Sequence, residues 1–273
     1  MIKRIGVELK EGCDISGGDM AIKSLQDLLD FDEILSIDPS LLKKEEPLYL
    51  GAVRDLDQRL KTAVKETLSQ GHFPLVFGGD HALAIGSIAG TLTPETGIIW
   101  IDAHGDCNTV ESSPSHRIHG MPLAVLQGHG HPALTALNDV VLKAKDILQI
   151  GIRSLDEQEE IQMRLWGVRF ITMEDIKKHG FSWMMGELKA FEEAHSRLHV
   201  SFDCDSIDPK EAPGVNTPAK NGLSLSDVSA ILQSLEFEKV SSMDIVEYNP
   251  LRDNGKTKAM VIVVDALVSA KKG

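Results

Sequence analysis

The sequence predicts an α/β fold, a mostly parallel central sheet flanked by helices on both faces. Three observations predict it. Short, nearly unbroken apolar runs recur along the chain, as expected of strands buried on both faces. Stretches of helical period separate them, supplying the crossovers that parallel strands require. Clusters of Asp and His fall just after the apolar runs, and open parallel sheets bind ligands outside the carboxyl ends of their strands.

The elements follow in order. Residues 53–69 carry Leu56, Leu60, Val64 and Leu68 at a steady four-residue spacing, which predicts a helix. Residues 74–77 (PLVF) read as a strand ending in Gly78-Gly79, glycines that allow a tight backbone turn. Residues 97–101 (GIIWI) run into an Asp/His cluster, 147–152 (ILQIGI) precede Arg153, and 198–202 (LHVSF) end in a second acidic cluster. Ser224, three residues before Asp227, reads as the cap of a helix over 224–235 with Val228, Ile231 and Leu235 inward. Residues 240–245 (VSSMDI) lead to Glu247, and 260–264 (MVIVV) read as a last strand. No repeat or low-complexity linker divides the chain, so one domain over 1–273 is expected.

Composition narrows the function. With 42% hydrophobic residues the chain has material for a sizeable core, which excludes disorder. A net charge of −13 disfavours nucleic acid as a partner. No run reaches the ~18 apolar residues that span a bilayer, and the opening MIKRIGVELKEG lacks the apolar stretch of a signal peptide. Cys13, Cys107 and Cys204 are too few and scattered for a disulfide framework, so a reducing, cytoplasmic setting is expected.

The clusters carry the chemistry. Asp102, His104 and Asp106 follow a strand at i, i+2, i+4, positions that share one face of an extended chain. Asp203 and Asp205 repeat the arrangement after another strand, and His81 stands beyond the two glycines. A single Asp or His at a strand end is usually a cap or turn residue; three such clusters at three strand ends are not explained that way. Four carboxylates at one sheet edge would repel and raise one another's pKa unless cations sat among them. Asp-rich ligation with imidazole suits Mn²⁺ better than a thiolate-preferring metal. Cys107 and Cys204 point by alternation to the opposite face, as small buried hydrophobes.

These segments resemble the ureohydrolase family of arginases, agmatinases and formimidoylglutamases. The resemblance rests on GGDHALAIGSIAG, IDAHGDCN, HGMP at 119–122, SFDCDSIDP, APGVNTP and DIVEYNP, which occur in the family's order. The stretch 208–218 is most similar to bacterial arginases. By that resemblance one Mn²⁺ is held by His81, Asp102, Asp106 and Asp203, and the second by Asp102, His104, Asp203 and Asp205. Asp102 and Asp203 then bridge ions ~3.5–4 Å apart, and a metal-bridging hydroxide attacks the guanidinium carbon. Asp106 also orients that hydroxide, His119 matches the proton shuttle, Glu247 the carboxylate that meets the guanidinium, and Thr217 a hydroxyl beside it. Assembly as a trimer or hexamer is implied too.

The implied reaction is hydrolysis of L-arginine to L-ornithine and urea. Asn108 and Ser115 match the positions that read the substrate carboxylate, and Asp156 and Glu159 those on the amine side. Three residues depart from the arginase pattern: Arg117, Ser154 and Asn216, the last expected at the pocket rim. Arg117 is either a bidentate clamp on a substrate carboxylate or an exposed loop arginine. The departures keep open a related guanidino or formimidoyl substrate, such as formimidoylglutamate, hydroxyarginine or agmatine. A non-catalytic scaffold would have lost His119 and Glu247, and a one-zinc deacetylase-like enzyme does not need His104 with paired Asp203 and Asp205.

Overall fold

The computed structural model describes residues 1–45 and 47–273. Among these residues eight strands form one sheet: β1 (Ile2–Glu8), β2 (Glu33–Ser36), β3 (Phe73–Gly78), β4 (Thr96–Ile101), β5 (Ile147–Ile152), β6 (Arg169–Thr172), β7 (Arg197–Asp203) and β8 (Val240–Val246). Their order across the sheet is β2-β1-β3-β8-β7-β4-β5-β6, and every pairing is parallel. The α/β class expected from the sequence is the one observed.

Alternation along the central strands feeds a core on each face. Leu75 and Phe77 of β3, Ile99 and Ile101 of β4, and Val200 and Phe202 of β7 face one core, closed by the helices Phe181–Glu193, Leu225–Ser234 and Lys256–Lys272. On the other face Val76 packs with Leu56, Leu60 and Val64 of the helix Leu50–Ser69, while Ile98 and Trp100 pack with Ile88 of the helix Ala84–Thr91. At ~25 cal/mol per Å² of apolar surface removed from water, two-sided burial makes the middle of the sheet its most strongly held part. The helix Leu225–Ser234 begins as expected, with a reciprocal capping box between Ser224 and Asp227.

One expectation about the elements needs correction. Residues 260–264 lie in the helix Lys256–Lys272, not in a strand. The inward residues Thr257, Met260, Val261, Val264 and Val268 recur at helical spacing, and the neighbouring polar residues lengthen the run beyond a strand. The chain does bend directly after β3, at Gly79 and Asp80, and neither Gly78 nor Gly79 needs positive φ for it. They serve close approach: a Cβ on Gly79 would stand 1.6 Å from the carbonyl oxygen of Leu9, and one on Gly78 1.9 Å from Leu83.

Register aligns the strand ends. Ile101 pairs with Phe202, Phe202 with Ile245, and Phe77 with Ile245. The next residues, Asp102, Asp203, Val246 and Gly78, therefore form one row at the carboxyl edge. Glu247 sits one step beyond, its N–H donating to the Gly79 carbonyl at 2.7 Å.

Candidate metal centre and adjoining cleft

The spacing of the acidic motifs has a local cause. The Oδ1 of Asp102 accepts the N–H of His104 at 2.8 Å, and the Oδ1 of Asp203 accepts that of Asp205 at 2.7 Å. Each leading aspartate thus folds the chain over its own side chain, as Asx turns do. The residue two positions on is brought to the same side. Asp106 completes its cluster with φ of +49°, a left-handed conformation uncommon outside glycine.

His81 opens a short turn capped by Asp80, whose Oδ1 accepts the Ala82 N–H at 3.0 Å. Its ring stacks on Trp100, with centroids 4.0 Å apart and planes 8° from parallel. Nε2 lies 2.8 Å from Ser201 Oγ. Nδ1 then faces Asp102, Asp106 and Asp203 oxygens at 3.1, 3.2 and 3.0 Å, yet it is buried with no hydrogen-bond partner among the described residues. With the proton on Nε2 donated to Ser201, the Nδ1 lone pair converges with carboxylate lone pairs on one point. A bound cation satisfies that arrangement; without one, a proton on Nδ1 shared with the carboxylates must do so.

A second group adjoins it. His104 Nδ1 lies 3.2 Å from Asp205 Oδ2 and 3.5 Å from Asp102 Oδ1. Two sets could each hold a metal ion, His81 with Asp102 and Asp106, and Asp102 with His104 and Asp205. Asp102 belongs to both. Asp203 joins the first set through its contact with His81, and one of its oxygens is occupied by the Asp205 N–H.

The electrostatics point the same way. Burial, then the charges of Asp205 and Asp102, push the Asp203 carboxyl well above its ordinary range. Burial and Asp102 raise Asp106 to about 6. Burial alone would lower His81 and His104, but the surrounding carboxylates raise both. These directions favour retained protons on the cluster when cations are absent, although Asp102, beside both histidines, is lowered; bound metal ions would displace such protons.

Beside the cluster lies a cleft of about 280 Å³. Its wall includes all the side chains expected to meet substrate, Asn108, Ser115, Asp156, Glu159, Thr217 and Glu247, together with His119. Thr217 Oγ1 donates to Asp205 at 3.1 Å, and Asn108 Nδ2 to Asp156 at 3.3 Å. Burial and Asp106 push Glu159 up to about 8. Glu247 is 1% exposed at φ +63°. Its Oε1 accepts the His81 N–H at 2.9 Å and lies 3.6 Å from His119 Nδ1. Burial would lower the His119 pKa, yet Glu247, Asp80 and Asp106 hold it above the ordinary value.

The departures from the family pattern separate. Ser154 lines the cleft. Arg117 does not line it; its guanidinium pairs with Asp14 at 3.2 Å. Asn216 is not a rim residue but is buried behind Glu247. Cys107 and Cys204 are fully buried, as expected. His129, His131, His179, His195 and His199 lie outside the cleft, with His199 buried against Ser242 and Asp244. Pattern reading passed over Asp80, Ser201 and Arg153. Arg153 donates to the carbonyls of Asp205 at 2.6 Å, Ser206 at 3.0 Å and Ala219 at 2.9 Å, bracing two loops of the site. Its one sequence signal is its place directly after an apolar run.

A parallel sheet whose carboxyl edge gathers His and Asp side chains against a polar cleft defines a class of α/β metal-site proteins. The profile of the Arginase family matches residues 9–270, and the chain belongs to that family. It is 41% identical over 220 residues to an arginase of Bacillus caldovelox, covering 78% of this chain and 74% of the relative. The solved native structure of the Bacillus caldovelox arginase superposes with a TM-score of 0.89 at 36% identity, covering 98% and 97% of the two chains. An Entamoeba histolytica arginase solved with L-ornithine gives 0.88 at 29% identity, covering 98% of each.

Proposed function

We propose that this chain is a dimanganese amidinohydrolase that converts L-arginine and water to L-ornithine and urea. The observation that carries the reading is the orphaned, buried His81 Nδ1 aimed with three carboxylates at one point beside the cleft. His81, Asp102, Asp106 and Asp203 would hold one ion, and Asp102, His104, Asp203 and Asp205 the other. When bound, the pair supplies hydroxide at neutral pH and offsets the crowded negative charge.

The chain's own residues do the rest. Glu247, ionised because its contacts with His119 and the His81 N–H outweigh its burial, pairs with the guanidinium, and Thr217 adds a hydroxyl. Asp106 orients the attacking oxygen. His119, whose pKa Glu247 and neighbouring acids raise against its burial, delivers its proton to the departing amine, which cannot leave as an anion. Asn108 and Ser115 receive the α-carboxylate. Asp156 meets the α-ammonium, while Glu159, uncharged at neutral pH, accepts the Cys107 N–H at 3.0 Å and fixes that wall. Arg117, the departure that suggested a clamp for a different acid, pairs with Asp14 instead, while Ser154 lines the cleft. Mn²⁺, a cytoplasmic setting, one domain over 1–273 and trimeric or hexameric assembly belong to the same reading, supported by the oxygen-rich donor set, three free cysteines and family membership.

The test is to strip the protein with chelator, reload it with Mn²⁺, and measure urea from L-arginine and agmatine. Urea from L-arginine with little from agmatine, which lacks the carboxylate, is expected. Absence of urea from both, with metal bound, contradicts the assignment.

A further inference from the structure

Glu247 has two carboxylate oxygens, and different partners hold them. Oε1 accepts the backbone N–H of His81 at 2.9 Å and neighbours His119. Oε2 accepts a hydrogen bond from Asn216 Nδ2 at 2.9 Å, its one partner in hydrogen-bond range among the described residues. Asn216 is itself 4% exposed, and its amide cannot be turned over without loss. Asn249 Oδ1 accepts the Leu251 N–H at 2.9 Å, so its NH₂ faces outward, reaching the Ser16 carbonyl at 3.0 Å and Asn216 Oδ1 at 2.6 Å. Asn216 must therefore present oxygen to Asn249 and nitrogen to Glu247. Cys13 Sγ takes the remaining contact of Nδ2 at 3.4 Å.

We infer that Asn216 is a positioning residue that sets the plane of the Glu247 carboxylate for binding a guanidinium group, and that Asn249 and the segment around Cys13 hold Asn216 in register. The inference rests on the assignment of Glu247 as the guanidinium partner. A planar guanidinium meets a carboxylate best in a shared plane. A Glu247 side chain tied at both oxygens offers that plane before substrate arrives, so less ordering remains to oppose binding. Without Asn216, Oε2 is a buried acceptor with no donor, and the carboxylate turns to find one. Because the contact serves bound substrate and transition state alike, its loss raises KM and leaves kcat little changed.

Two variants test this, Asn216→Ala and the isosteric Asn216→Asp, which keeps the acceptor for Asn249 but turns an anionic oxygen toward Glu247. Wild type and variants, each loaded with Mn²⁺, are titrated with methylguanidinium by calorimetry and assayed for urea from L-arginine. Melting temperature and metal content are measured alongside. Asn216→Ala is expected to weaken methylguanidinium binding and raise KM roughly tenfold, the effect of one hydrogen bond to a charged group. Asn216→Asp is expected to lose more despite its shape, with kcat in Asn216→Ala within about threefold of wild type. Affinity within twofold of wild type in both variants overturns the inference, whatever happens to melting temperature or metal content. So does a wild type that does not bind methylguanidinium. A wild type that binds methylguanidinium yet forms no urea overturns the proposed reaction, and calorimetry alone then decides the role of Asn216.

Discussion

Asp203→Asn is expected to abolish measurable turnover and to strip metal from the protein while leaving it folded. Asp203 stands in the aligned row at the sheet edge, 3.0 Å from His81 Nδ1 and 2% exposed. Asparagine keeps the side-chain shape, and its carbonyl oxygen can still accept the Asp205 N–H that the carboxylate accepts at 2.7 Å. What it removes is a charge placed, in the proposed assignment, between two cations. Residues that merely support metal ligands cost about 10–100-fold in affinity or activity when replaced, so a shared ligand should cost about 10²-fold at the least. The stability of the metal-free protein should rise, because Asp203 in that state is a carboxyl whose burial and like-charged neighbours oppose ionisation. Elemental analysis, urea release and chemical denaturation of the stripped protein check the three parts. Full activity with metal still bound would remove Asp203 from the centre.

His119→Asn is expected to lower kcat by about 10²-fold with metal content unchanged. The imidazole stands in the cleft wall, 3.6 Å from Glu247 through Nδ1, and belongs to neither metal set. General acid catalysis contributes roughly 10²–10⁴-fold. The lower end applies here because the His119 side chain is 20% exposed, so solvent can deliver part of the missing protons. The pair with Glu247 also links to stability. His119 has its pKa raised on folding, so its contribution is fully present below ~6.5 and fades as pH rises through the higher folded value. Glu247 is lowered, so its contribution is present above its unfolded pKa and fades as pH falls through the folded one. The variant should therefore be less stable than wild type near neutrality, and the difference should shrink toward alkaline pH. Steady-state kinetics and denaturation at two pH values read both effects.

How much of this was legible beforehand depends on what each feature is made of. β3, β4, β5 and β7 are buried along nearly their whole length, and that burial writes itself as unbroken apolar runs. The edge strands β2 and β6 are four residues each and largely open to solvent, so EILS and RFIT leave no such mark. The helix Lys256–Lys272 contains MVIVV, four of whose five residues are β-branched, and it reads as strand until the spacing of its inward residues is followed to Val268. At the site, the ligand candidates were visible because each sits at a strand end or within five positions of one and carries a side chain suited to metal. Asp80, Arg153 and Asn216 act through hydrogen bonds to segments distant in sequence. Asp80 reaches the N–H groups of Gly12 and Cys13, and Arg153 the carbonyls of two loops. Such partners exist only once the sheet has brought the loops together. Arg117 shows the converse: its residue type hinted at a substrate clamp, while its actual partner, Asp14, lies far back in the chain.

The central claim is that this sheet edge holds two divalent cations through one shared cluster. It is tested most directly by loading chelator-stripped protein with Mn²⁺ to saturation and counting the ions per chain after removal of excess. Two ions per chain, falling to fewer in Asp102→Asn, is the result predicted. One ion or none at saturation, or two ions that persist without Asp102, would contradict the account.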